Sequence, residues 1–325
     1  MQCSRQKIAM IVGNLGQDGT YLTQLLKQNK YRILGINRHS ISYDEIKVHG
    51  PIDLADYNQV KNIINKYKPE EIYYLAAVHQ SSEEQQDKVY HGFVNSLSVH
   101  IIGLLNFLEA MRFYSPSSKF FYAASSHVFG NPEEFPQKET TPFHPQCQYG
   151  ITKTTGVEIC RLYRKDMGLF CSVGILFNHE SPLRSPKFLS KKIVGSAVKI
   201  KLGLQHELVL GNLAANVDWG HAKDFVKAMH SVLQLKHPDD FIISTGRINT
   251  VGNFANLAFD LLGLKSPEYL KEDKFLLKKP IHDTPLCGDN SKIIGLTGWK
   301  PEYSFETMIE EMIFEELKRP VYEKK

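Results

Sequence analysis

Short apolar runs alternate with segments of helical periodicity through the first half of the chain. The apolar runs lie at residues 7–12, 31–37, 71–76, 119–124 and 170–177. Segments whose apolar residues repeat at helical spacing lie between them, at 20–27, 57–67, 94–113 and 149–167. Apolar strands that alternate with helices are typical of a parallel sheet covered on both faces. The pattern therefore predicts an α/β fold with a doubly wound parallel sheet over residues 1–177.

The regularity weakens after residue 178. Short segments there are punctuated by glycines and by prolines such as Pro182 and Pro186. Helical patterns return near residues 253–262 and 305–317. We expect residues 178–325 to form a smaller C-terminal lobe that binds the substrate and returns some elements to the main domain.

Composition and charge narrow the function classes. The 325 residues are 42% hydrophobic and 23% charged, and the 39 basic and 35 acidic side chains give a net charge of +4 without a polybasic run, so nucleic acid is not an expected partner. We also expect no membrane partner and a cytoplasmic location, because no stretch approaches the roughly 20 apolar residues of a membrane span. Five cysteines without paired spacing predict neither a disulfide framework nor a metal site.

A glycine-rich turn follows the first predicted strand. Gly13, Gly16 and Gly19 stand at three-residue spacing, with Gln17 and Asp18 between the last two. Glycine lets a tight turn bring backbone N–H groups against a pyrophosphate at a helix N-terminus, where the helix dipole favours anions. The motif and its position predict a Rossmann-type dinucleotide site.

Later segments predict how the rest of the dinucleotide is held. Arg38 ends the second strand and favours the 2′-phosphate of NADP, with NAD as the alternative if Arg38 is only a solvated strand-end residue. Asp53, next to Leu54, is expected to face the adenine, or else to cap the following helix. The next segment is Leu75, Ala76 and Ala77. Its small side chains would let the chain pass close to the cofactor.

Tyr149 and Lys153 are four residues apart, which places them on one face of a helix. Hydride transfer at a carbinol needs a base for the hydroxyl proton, and a nearby ammonium would lower the pKa of a tyrosine. Ser125, after the fourth apolar run, is the expected third member, bonded to the same substrate oxygen. The alternative is an exposed Tyr–Lys pair on a helix without a catalytic role.

The chain resembles the GDP-mannose 4,6-dehydratase family of extended short-chain dehydrogenases over most of its length. Five segments carry the resemblance: GNLGQDG at 13–19, PQKETTPF at 136–143, YGITK at 149–153, ILFNHESP at 175–182 and DWGHAKD at 218–224. The resemblance implies a nucleotide-sugar enzyme that oxidises C4, removes water across C5 and C6, and returns the hydride to C6. The cofactor would stay bound and be regenerated in each cycle.

His127 departs from the family pattern, in which a glutamate stands two positions after the serine. A neutral imidazole could remove the C5 proton and, once protonated, donate to the departing C6 oxygen. Otherwise His127 only lines the pocket of an epimerase, a 4-keto reductase or a 4-oxidase. A third alternative is a non-catalytic dinucleotide-binding regulatory protein.

The resemblance also implies substrate contacts at Asn178, near the sugar or phosphates, and at Lys192, near the nucleotide. Lys279 stands where the family has an arginine, and Val217 replaces another arginine. Valine cannot grip phosphate, so the diphosphate must be neutralised by other groups or the ligand is not GDP-mannose, although a GDP-sugar is favoured. The segment after Arg38 is shorter than the family's cofactor loop, which favours a homodimer over a tetramer.

Overall fold

A computed structural model of the chain describes residues 6–78, 89–276 and 284–319. In chain order the strands are β1 Ile8–Val12, β2 Arg32–Ile36, β3 Ile41–Tyr43, β4 Ile46–His49, β5 Glu71–Tyr74, β6 Lys119–Ala123, β7 Phe170–Leu176, β8 Asn178–Glu180, β9 Leu208–Leu210, β10 Asn216–His221, β11 Asp240–Ile243, β12 Ile248–Thr250 and β13 Leu270–Glu272. The helices are α1 Gln17–Gln28, α2 Tyr57–Tyr67, α3 Val89–Leu97, α4 Leu104–Tyr114, α5 Gln148–Met167, α6 Leu189–Lys201, α7 Ala222–Leu233, α8 Val251–Leu261, α9 Ser266–Tyr269, α10 Ser291–Thr297 and α11 Phe305–Leu317.

The main sheet in the described residues has eight strands in the order β11-β7-β6-β5-β1-β2-β3-β4. The pairings from β11 to β2 are parallel, whereas β2, β3 and β4 pair antiparallel. The five residues of β1 are all buried, as expected for a strand covered on both faces. The predicted doubly wound α/β fold is confirmed, with an antiparallel hairpin added at one edge.

Helices cover both faces of this sheet and enclose two apolar cores. One core packs α2, α4 and α5 against the sheet, and the other packs α1 and α7 against the opposite face. A third core lies between α6, α8 and α11 and includes Trp219 of β10. The division at residues 177 and 178 stays a prediction. Two elements from beyond it, β11 and α7, lie in and on the main sheet.

The expectation that no stretch is long and apolar enough for a membrane span needs a correction. Within the described residues, the continuous helix Tyr90–Tyr114 passes that test by length and composition, and 39% of its most apolar window is buried. A core helix of a soluble protein passes the same test. This helix also carries the ion pair of Glu109 with Arg112, and its second half packs on α2.

Candidate functional site

A cleft of about 830 Å³ opens over the carboxyl ends of β1, β2, β5, β6 and β7. The chain leaves β1 toward β2 on one side and returns to β5 on the other, so β1 lies where the strand order reverses. Open α/β sheets bind ligands at this position because the loops diverge there and leave a crevice. Most of the predicted site residues line the cleft: Gly13, Gly16, Gln17, Asp18, Gly19, Arg38, Asp53, Leu54, Leu75, Ala76, Ala77, Ser125, His127, Tyr149, Lys153 and Asn178.

The glycine turn forms one wall of the cleft. Gly13 has φ +101°, in the region that favours glycine, and its N–H donates to the Ile36 carbonyl at 2.7 Å. A methyl group on Gly19 would lie 2.2 Å from the Gly13 carbonyl oxygen. Gly16 caps α1 without a side chain, and a methyl group there would meet only the Gly13 oxygen, at 3.3 Å. The open space beside Gly16 and the unpaired amides of a first helical turn fit a pyrophosphate.

Arg38 and Asp53 also line the cleft, as expected for an adenosine site. Asp53 does not cap a helix, because its Oδ1 accepts from the Ala55 N–H at 2.9 Å while α2 is capped by Asp56. The alternative interpretation of Asp53 as an N-cap was therefore wrong. Asp56 accepts from the N–H groups of Asn58 and Gln59, the usual arrangement of an N-cap carboxylate.

Ser125, Tyr149 and Lys153 converge on the same cleft from two elements. Ser125 follows β6, and Tyr149 and Lys153 lie in the first turns of α5, with Lys153 1% exposed. The Ser125 and Tyr149 hydroxyls are hydrogen bonded, and this contact lowers the pKa of Tyr149. Lys153 Nζ donates to the Ala123 carbonyl at 2.6 Å and lies 5.7 Å from the centre of the Tyr149 ring.

The electrostatics of this trio differ from the expectation. Burial raises the pKa of Tyr149 well above its usual value, and the charge that opposes the rise is Arg184 rather than Lys153. Burial also lowers the pKa of Lys153 to about 7, so that near neutral pH this lysine is only partly charged. From the sequence we expected the ammonium of Lys153 to lower the pKa of Tyr149. Residue spacing could not show that Lys153 is buried or that Arg184 lies near the tyrosine.

His127 lies beside the trio and is exposed to the cleft. Its ring meets the Tyr149 ring nearly edge-on, with centroids 5.9 Å apart and an interplanar angle of 87°. Its Nδ1 is 4.0 Å from Cys147 Sγ. An imidazole here is within reach of a sugar that bonds to Tyr149, which is the position an acid–base group for C5 and C6 requires.

The predicted substrate contacts divide three ways. Asn178, at the start of β8, lines the cleft. Lys192 lies half-buried on α6 and is not part of the cleft lining. Lys279 falls outside the described residues. Val217 lies in β10, where it pairs with Asn249.

The structure adds cationic residues that the sequence interpretation missed. Arg184 and Lys187 line the cleft, and the Arg184 guanidinium lies 3.6 Å from the centre of the Phe188 ring and 3.1 Å from a Glu180 carboxylate oxygen. Both cations follow Pro182 in an irregular segment without a motif to mark them. The only available signal was the density of basic residues after the ILFNHESP segment.

His179 also lines the cleft and connects β8 to the glycine turn. Its Nδ1 donates to the Phe177 carbonyl at 2.7 Å, and its Nε2 lies 2.9 Å from the Asp18 carboxylate. Burial lowers the pKa of His179, but Asp18 outweighs it and the net shift is upward. Burial likewise raises the pKa of Asp18, yet the contact with His179 leaves it below its usual value. Both ring nitrogens face acceptors, so the charged imidazolium satisfies both contacts.

Comparisons of sequence and of structure relate the chain to a family model, to a known enzyme and to two solved structures. The family model described as GDP-mannose 4,6 dehydratase matches residues 10–312. GDP-mannose 4,6 dehydratase 2 from Arabidopsis thaliana is 37% identical over 98% of this chain and 89% of its own length. Two solved structures share the fold. RMD from Pseudomonas aeruginosa in complex with NADPH has TM-score 0.81 and 19% identity, covering 97% of this chain and 100% of its own. dTDP-glucose 4,6-dehydratase from Bacillus anthracis in complex with NAD has TM-score 0.78 and 18% identity, covering 95% and 96%.

Proposed function

Because the chain belongs to the GDP-mannose 4,6-dehydratase family, we propose that it is a nucleotide-sugar 4,6-dehydratase that binds NADP and a GDP-sugar in the cleft. The observation that carries the proposal is the convergence of Ser125, Tyr149 and Lys153 beside the glycine turn. A module that only binds a dinucleotide has little chemical need for this trio.

Residues of the cleft lining fit the cofactor. The amides of the first turn of α1 would hold the pyrophosphate, and Arg38 would hold the 2′-phosphate that distinguishes NADP from NAD. The bound nicotinamide would supply the hydride acceptor for C4 of the sugar and the hydride donor for C6. Exchange of Arg38 for aspartate tests the preference, and we expect NADPH affinity to fall and NADH affinity to rise.

Tyr149 is the base that removes the proton of the C4 hydroxyl in this proposal. Burial raises the pKa of this phenol well above its usual value, and Arg184 is the charge that opposes the rise. The hydrogen bond from Ser125 holds the phenol and leaves the serine hydroxyl beside the same substrate oxygen. Lys153 is held by its bond to the Ala123 carbonyl, and its Nζ would donate to a ribose hydroxyl of the cofactor.

His127 takes the acid–base role at C5 and C6. Once C4 is a ketone, the C5 hydrogen is acidic, and the neutral His127 ring accepts that proton. The resulting imidazolium donates it to the C6 oxygen, so that water leaves and the ring returns to its neutral form. One residue then serves both transfers, because C5 and C6 are adjacent.

Incubation with GDP-, UDP-, dTDP- and CDP-sugars in deuterated water, followed by NMR, tests the proposal. We expect a 6-deoxy-4-keto GDP-sugar that carries solvent deuterium at C5. An inverted sugar that keeps its C6 hydroxyl indicates an epimerase, and stoichiometric cofactor consumption indicates a reductase or oxidase. Dinucleotide binding without turnover of any sugar indicates a regulatory protein and refutes the proposal.

We further propose a cytoplasmic homodimer that pairs the helix Tyr90–Tyr114 with α5. Both helices expose large apolar side chains, among them Val94, Ile102 and Phe113 on the first and Ile151 and Leu162 on α5. A second copy would cover these groups and remove them from water. Light scattering should give about twice the chain mass of 37.1 kDa, whereas four times that mass indicates a tetramer.

A further inference from the structure

A π-helical turn, Ser98–Gly103, joins α3 to α4 and forms part of the cleft wall through Ser98 and Val99. Such turns are uncommon and occur often at functional sites. His100 lies within this turn and is fully buried. No part of the proposed mechanism uses it, yet it lies directly behind the catalytic tyrosine.

The hydrogen bonds of His100 determine its tautomer. The Val78 N–H donates to Nε2 at 2.9 Å, and because a backbone amide only donates, Nε2 carries no proton. In the neutral ring Nδ1 is then the N–H, and it lies 2.8 Å from Thr152 Oγ1. The Thr152 hydroxyl donates in turn to the Tyr149 carbonyl at 3.1 Å. The bonds form a directed chain from Val78 through His100 and Thr152 to Tyr149.

The ring of His100 also packs on the catalytic side chain. Its centroid lies 5.5 Å from that of Tyr149, with an interplanar angle of 81°. Val78, at the start of the chain of bonds, lines the cleft next to Ala76 and Ala77. His100 therefore connects the cofactor wall after β5 with the helix that carries Tyr149 and Lys153.

We propose that His100 is a positioning residue that holds Tyr149 in its reactive orientation and ties Val78 to α5. The role at Tyr149 rests on the proposed function, whereas the bond to Val78 does not. A histidine that only fills the core would contribute to stability without affecting turnover at temperatures where the protein is folded.

Three substitutions separate the contacts. His100→Gln places a carbonyl oxygen near the position of Nε2 and keeps an acceptor for Val78. His100→Asn places an amide near the position of Nδ1 and keeps a donor for Thr152. His100→Phe keeps the ring against Tyr149 and loses the hydrogen bonds with Val78 and Thr152.

Hydrogen exchange at the Val78 amide is the readout that needs no activity. We expect faster exchange in His100→Phe and His100→Asn, and exchange close to wild type in His100→Gln. Equal exchange in wild type and His100→Phe overturns the link to Val78. This measurement holds even if no sugar is turned over, in which case the proposed function has failed and the Val78 link is still tested.

Turnover tests the link to Tyr149. In His100→Phe we expect kcat to fall roughly 10- to 100-fold with KM for the sugar changed less than about threefold, because a misplaced base slows the reaction without removing a substrate contact. His100→Asn should recover part of this loss. A kcat in folded His100→Phe within about twofold of wild type overturns the positioning role.

Thr152→Val provides a second test if the His100 variants fail to fold. It removes the hydroxyl between His100 and Tyr149 at nearly constant volume, and we expect kcat to fall roughly 3- to 10-fold. Thr155→Val is the matched control, since Thr155 donates to the Ile151 carbonyl on the same helix, away from Tyr149. Equal kcat in the two threonine variants contradicts the proposal.

Discussion

Exchange of Gly19 for alanine tests whether the tight packing of the glycine turn fixes the amides that bind the pyrophosphate. The new methyl carbon would lie 2.2 Å from the Gly13 carbonyl oxygen and 2.6 Å from Asn14 Cα, where ordinary contacts are 3.4–4 Å. Both neighbours are backbone atoms, so the turn must move by about 1 Å. Overpacking of this kind costs about 1–3 kcal/mol, which for a chain of this length we expect to lower Tm by roughly 1.5–4.5 °C.

The same shift displaces the amides that hold the pyrophosphate. We expect NADPH affinity, measured by fluorescence titration, to fall at least about tenfold. Gly295→Ala in α10 is the control, because a methyl group there meets no atom within 4 Å. It should raise stability by about 0.5–1 kcal/mol and leave NADPH affinity unchanged. A Gly19→Ala protein with wild-type Tm and NADPH affinity would refute the reasoning.

Three further predictions concern buried or cleft-lining titratable groups. His127→Ala should abolish water loss while the sugar is still oxidised at C4, so that reduced cofactor accumulates. His127→Glu should restore water loss. Dehydration at the wild-type rate in His127→Ala contradicts the assigned role. Glu71 is buried and accepts from Tyr31 and Tyr73 at 2.7 Å each; burial raises its pKa, but these and other hydrogen bonds lower it to about 2. The stabilisation that ionised Glu71 gives the folded state is therefore present above pH 4.5 and lost as the pH falls toward 2. Glu71→Gln should lower the free energy of unfolding in urea by about 2–4 kcal/mol at pH 7 and by clearly less at pH 3. Equal losses at the two pH values would contradict the lowered pKa of Glu71. Lys153 has its pKa lowered from 10.5 to about 7, so the folded state without cofactor loses stability as the pH falls from 10.5 to 7. Lys153→Met should be inactive but gain stability relative to wild type between pH 10 and pH 6, and thermal unfolding that shows no such trend contradicts the lowered pKa.

The apolar runs predicted the central strands because strands buried on both faces are apolar at nearly every position, as in β1. The hairpin of β3 and β4 was missed for two reasons. All four residues of β4 are exposed, and the turn uses Asp44 and Glu45 at φ 48° and 71° rather than the glycine that usually marks such a turn. Similarly, the local pattern of apolar and polar residues could not show that β11 pairs with β7.

The candidate site was predictable where function depends on spacing along one element. Gly13, Gly16 and Gly19 share a turn, and Tyr149 and Lys153 share a helix face. Arg184 and His100 were missed because each reaches the site from a segment distant in sequence. His100 in particular lies in an apolar helical segment, and only the fold brings it to Val78 and Thr152.

The most direct measurement of the central claim follows one hydrogen atom. The purified protein is given GDP-mannose deuterated at C4, in ordinary water with NADP, and the product is examined by NMR. If Ser125, Tyr149 and Lys153 support oxidation at C4 and return of the same hydride, the deuterium appears at C6 of a 6-deoxy-4-keto sugar. Deuterium that stays at C4 of an inverted sugar, or that is released in free reduced cofactor, contradicts the account.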